Sequence, residues 1–115
     1  MKTAVIGSRK LKVFNIGEYL PTETDEVVSG GAKGVDSSAK EYAESSGLKY
    51  IEFLPQYNLY GKGAPIIRNR EIVDYADVVI AFWDGRSRGT NSVIDYCILK
   101  GKPLKIIYCK DLFNR

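Results

Sequence analysis

A chain of 115 residues without a single histidine excludes imidazole metal ligands and every nucleophile that depends on a Ser-His or Cys-His pair. Its 44% hydrophobic and 27% charged residues are the proportions of a soluble globular protein, and the length predicts one domain over residues 1–115. The net charge of +3, with the lysines scattered, is small for a protein that coats nucleic acid and speaks against that role.

The opening MKTAVIGSRK is too short of apolar residues to act as a secretory leader, and no apolar run reaches the length of a membrane span. With Cys97 and Cys109 outside any C-x-x-C pair, both thiols are expected to be core hydrophobes in a reducing cytosol. A cytoplasmic protein with no metal, no membrane contact and no obligatory cofactor is the expectation.

In chain order, the first apolar block is TAVIG at 3–7, and it runs into Gly7-Ser8-Arg9. The crossover after it, 9–21, is interrupted by Gly17 and ended by Pro21, which predicts a short helix around 13–20. A second strand, EVVSG at 26–30, opens into SGGAKGVD at 29–36. Val35, Ala39, Tyr42 and Ala43 then follow helical spacing over 35–46, with Gly47 as the stop.

YIEFL at 50–54 is the third strand, and PQYNLYGKGA at 55–64 follows it without periodicity. That segment reads either as a flap whose Tyr57 and Tyr60 stack on a base, or as a surface loop whose tyrosines pack on the body. A helix over 65–75 starts at Pro65, the strand DVVIAFW covers 77–83, and WDGRSRGTNS follows at 83–92. Val93, Ile94, Cys97 and Ile98 place a helix at 91–100, closed by Gly101 and Pro103, before a last strand at 104–109.

The strands are apolar in blocks rather than in alternation, as parallel strands covered on both faces are. The βαβαβαβαβ order predicts an α/β, Rossmann-like, three-layer α/β/α fold with a five-stranded, mainly parallel sheet in the order 3-2-1-4-5. Ligands of such sheets lie at the carboxyl ends of the strands where the order reverses. There the glycine turns Gly7-Ser8-Arg9, Gly30-Gly31-x-x-Gly34 and Gly85 to Thr90 converge. Bare backbone and helix starts favour an anion, most naturally phosphate.

Arg68 and Arg70 stand near the start of the 65–75 helix, where the dipole disfavours cations unless an anion or surface carboxylates compensate. Asp36 is expected to cap its helix or take a sugar hydroxyl, Asp84 to make a polar contact inside the crevice, and Asp95 to be solvated or to act as a cap. Neither G-x-G-x-x-G nor the G-x-x-x-x-G-K-[ST] loop occurs.

Taken in order, S-G-G-A-x-G-V-D, then R-N, then G-x-x-x-G-T, with GKP before the last strand, the chain resembles the SLOG superfamily. The resemblance is to its small bacterial YspA- and YpsA-like members of the DUF2493 type, and it runs from residue 3 to about 109. It implies a nucleotide or nucleotide-derived ligand held by Gly7, Ser8, Arg9, Gly30, Gly31, Gly34, Asp36, Arg68, Asn69, Gly85, Gly89 and Thr90. Ser8 and Thr90 would hold phosphate, and Asn69 and Asp84 would orient sugar or base. Relatives of this kind are often homodimers, which implies self-association.

Three other resemblances bear on function. The Lonely Guy phosphoribohydrolases, which cleave the N-glycosidic bond of nucleoside monophosphates, carry a glutamate three residues after their G-T, where this chain has Val93. Hydrolysis here would therefore fall to Asp36 or Asp84. The DNA-processing protein A family is similar over 27–43 through S-G-x-A-x-G-x-D and implies binding of single-stranded DNA. The molybdenum cofactor carrier proteins share the fold type, but no residue here selects their pterin ligand.

Overall fold

A computed structural model of the chain describes residues 1–109. Five strands, β1 (Lys2–Gly7), β2 (Glu26–Ser29), β3 (Lys49–Glu52), β4 (Val78–Trp83) and β5 (Leu104–Tyr108), form one sheet in the order β3-β2-β1-β4-β5. Every pairing is parallel, with Thr3 opposite both Val27 and Val78. The chain thus reverses direction across the sheet between β1 and β4, and a crevice opens at their carboxyl ends.

Helices cover both faces, and the period of two within each strand sorts the core between them. Ala4, Ile6, Val28, Val79 and Ala81 face α3 (Ala64–Tyr75) and α4 (Arg88–Lys100), where they meet Ile72, Val73, Val93, Ile94 and Cys97. Val5, Val27, Ile80 and Phe82 face the opposite layer, built from α1 (Val35–Ser45) and the first crossover. Both cysteines are buried free thiols, and burial pushes Cys97 up to about 11. No helix of the described residues is long and apolar enough to cross a membrane.

Three elements differ from the sequence expectation. The helix expected around 13–20 is a single 3-10 turn, Ile16–Tyr19. Leu11, Val13 and Ile16 are each drawn into the core from an otherwise irregular segment, a spacing no α-helix face provides. Gly17 lies so close to the Tyr42 ring that a Cβ would come within 2.6 Å of it.

Residues 55–64 contain a one-turn helix, α2 (Tyr57–Tyr60), followed by a 3-10 turn at Gly61–Gly63 that leads directly into α3. No residue of α2 is fully buried, and Tyr57 and Tyr60 are about half exposed, so this segment is a surface turn carried on the start of α3. The last helix begins three residues before the expected 91, because Ser87 caps it by accepting a hydrogen bond from the Thr90 N–H.

Candidate functional site

The carboxyl ends of the strands enclose a cavity of about 750 Å³, within the range that holds small ligands and cofactors. Gly7, Ser8, Arg9, Gly30, Asp36, Arg68, Asn69, Asp84, Gly85, Gly89 and Thr90 all line it. Two of the expected residues, Gly31 and Gly34, do not. Gly31, at φ +72°, turns towards Glu52 and Leu54, and Gly34, at φ +74°, packs on the backbone of Ser8 and Arg9.

The loop after β2 is organised from within. Asp36 Oδ2 accepts the N–H groups of Gly30 at 3.2 Å and Ala32 at 3.1 Å, so those donors are engaged in the turn. Burial raises the Asp36 carboxyl above its ordinary value, against the opposing pull of these N–H groups and of Arg68.

Arg68 reaches across from α3 and donates through Nη1 to the carbonyls of Gly30, at 2.7 Å, and Phe53, at 3.2 Å. Its Nε donates to Asn69 Oδ1 at 2.8 Å. The guanidinium occupies the space beside Gly30, where a Cβ would come within 2.6 Å of Nη1. Burial lowers its pKa, an effect that Asp36 counters. Arg68 is thus a clamp between the ends of β2 and β3. Its remaining nitrogen, Nη2, makes no hydrogen bond among the described residues, and no buried side-chain nitrogen lacks a partner, so this atom opens on the cavity.

The β4–α4 loop is likewise held by a carboxylate, but it leaves donors free. Asp84 Oδ1 accepts the N–H groups of Arg86 and Ser87, both at 2.8 Å. Desolvation works to raise this carboxyl, but those two bonds together with its own backbone N–H and the Arg86 charge hold it below its ordinary value. Ser87 Oγ accepts from the Thr90 N–H and pairs with the Thr90 hydroxyl.

The N–H groups of Arg88 and Gly89 have no partner among the described residues. A 13-residue helix therefore brings its positive end and the free Gly89 N–H to the cavity wall, with the free Arg88 N–H just outside the lining. Gly89 is required by nothing in the fold: its φ is ordinary, and a Cβ there would meet no atom within 4 Å. Replacing the cap, Ser87→Ala, is expected to destabilise the protein by about 1 kcal/mol in chemical denaturation.

Exposed Arg9, Lys10 and Arg86 complete the cationic rim. Sequence reasoning did not single out Lys10, Arg86, Ser87 or Tyr108, all of which line the cavity. The signal for Ser87 was present in its spacing, three residues before Thr90. Arg70 lies outside, 5.5 Å from the centre of the Tyr96 ring, and Asp95 is exposed. Val93 also lines the cavity, so the position where the phosphoribohydrolases carry their glutamate presents only methyl groups. Asp36 and Asp84 each hold a turn of their own. Among the described residues, no cluster of acidic or sulfur side chains fits a metal ion.

Fold and crevice together define a Rossmann-like α/β protein with a pocket at its switch point. Among solved structures, DNA processing protein A from Helicobacter pylori, described for its single-stranded DNA binding mode, has a similar chain, with a TM-score of 0.72 and 26% sequence identity. The likeness covers 92% of this chain and 64% of that one, so it extends well beyond the motif resemblance at 27–43 but leaves over a third of the neighbour without a counterpart. No protein-family model matches the chain, and no curated protein does.

Proposed function

We propose that the crevice binds a nucleotide or nucleotide derivative, with its phosphate at the start of α4. The observation that carries this reading is the pair of free N–H donors at Arg88 and Gly89, beside a glycine the fold does not need. Helix starts of this kind are ready-made phosphate sites. Ser8 and the open Nη2 of Arg68 add donors, while Arg9, Lys10 and Arg86 add charge. Asn69, whose amide nitrogen is left over by its bond to Arg68, is placed to orient the sugar.

Gly89→Asp tests the site without damaging the fold. The carboxylate would enter open space at a helix start, where it is favourable by about 0.3–1 kcal/mol, and would compete for the phosphate donors. The expected result is an unchanged or raised melting temperature together with at least a tenfold loss of affinity for nucleoside monophosphates, read by calorimetry. Undiminished affinity in this variant sinks the α4 assignment.

A second reading, single-stranded DNA binding, is favoured by the likeness to DNA processing protein A and by the exposed cations at the rim. An oligonucleotide that stabilises the protein where mononucleotides do not, with affinity falling steeply as salt rises, selects this reading. A mononucleotide at a hundred times its Kd stabilises by about 2.7 kcal/mol and selects the first.

A further inference from the structure

Tyr108 ends the edge strand β5 and is the only aromatic residue lining the cavity among the described residues. Its side chain is not part of the core: the residue is 61% exposed. Its hydroxyl forms no hydrogen bond among the described residues, a property it shares with the exposed Tyr57 and Tyr60, but of these only Tyr108 lines the cavity. The ring nevertheless has a seat. It rests beside Gly85, where a Cβ would lie 3.1 Å from Cε2 and 3.4 Å from Oη, in a turn held at φ +81°.

We propose that Tyr108 is the stacking platform for the base of the bound nucleotide. This rests on the reading of the crevice as a nucleotide site and adds to it the group that distinguishes a nucleotide from a plain sugar phosphate. The loop from Asp84 to Thr90 carries the seat of the Tyr108 ring at one end and the free donors of α4 at the other. One continuous wall therefore meets both ends of a mononucleotide.

An aromatic face accepts any base, because every base has a π-face, and the contact is substantial when the ring is already positioned. Tyr108 is the one flat apolar surface in a pocket whose other described walls are backbone, aliphatic, polar and charged groups.

The test measures binding of AMP, GMP, CMP and UMP, and of ribose 5-phosphate, to the wild-type chain and to Tyr108→Phe and Tyr108→Ala. Stacking predicts that the wild type prefers a nucleotide over ribose 5-phosphate. Tyr108→Phe should keep that preference, and Tyr108→Ala should lose about tenfold or more of nucleotide affinity with ribose 5-phosphate unchanged. Equal nucleotide binding by wild type and Tyr108→Ala overturns the stacking role while leaving the phosphate site standing. A parallel loss for both ligands does the same, since it marks general damage. If the wild type binds neither class of ligand, the nucleotide reading and the stacking role fall together.

Discussion

Gly34→Ala is expected to cost about 4 kcal/mol or more, a large part of the roughly 5–15 kcal/mol that holds a domain of this size together. Two effects add. Residue 34 sits at φ +74°, ψ −122°, a region essentially restricted to glycine, where a side chain costs about 1–3 kcal/mol. The new Cβ would also lie 2.5 Å from the Arg9 carbonyl oxygen and 2.6 Å from that of Ser8. Both are backbone atoms with no rotamer to yield, so the clash is relieved only by moving the β1 loop away from α1.

That loop is tied to the helix start by the Val35 N–H to Ser8 carbonyl bond. Gly47→Ala is the matched control: φ is +71° and nothing lies within 4 Å of the new Cβ, so only the conformational term of about 1 kcal/mol applies. Chemical denaturation of both variants separates the terms. Equal losses would refute the steric argument.

Arg68→Met should lower stability by about 3 kcal/mol, because it strips the carbonyls of Gly30 and Phe53 of a charged donor and leaves buried Asp36 without its counter-charge. At this chain length the melting temperature falls by roughly 10–15 °C. The deficit should depend on pH with a definite sign. Burial raises Asp36 in the folded state above its unfolded value, so its contribution to stability is present below the ordinary carboxylate pKa and is lost as pH rises through the raised one.

Removing the cation raises Asp36 further and enlarges that loss. The variant's deficit is therefore larger at pH 8 than near pH 4. A deficit that grows on acidification would mean that Asp36 and Arg68 are not coupled in this way.

Much of the fold was legible because apolar blocks separated by helical spacing leave few alternatives. Val27, Val28, Val79 and Ile80 announce strands covered on both sides, and the handedness of their crossovers leads to the order found. The first crossover was not legible as drawn. Leu11, Val13 and Ile16 are buried one by one by tertiary contact, and no local period encodes that.

The crevice was legible in outline, since glycine turns at adjacent strand ends must meet. What each residue does there was not. That Gly30 makes room for a guanidinium, while Gly89 makes room for nothing in the protein, depends on residues 38 positions away in one case and on empty space in the other. A strand-end tyrosine such as Tyr108 reads from sequence as one more β-former.

The two halves of the crevice differ in how freely they can vary. Around Gly30, Asp36 and Arg68 every substitution disturbs an internal bond, and selection on folding alone would hold these residues in place. Arg86, Gly89 and Tyr108 touch little that the fold depends on, so a lineage could exchange them and acquire a preference for a different base or charge while its thermal tolerance stayed level. The scaffold records ancestry in one segment and leaves room for ligand choice to drift in another.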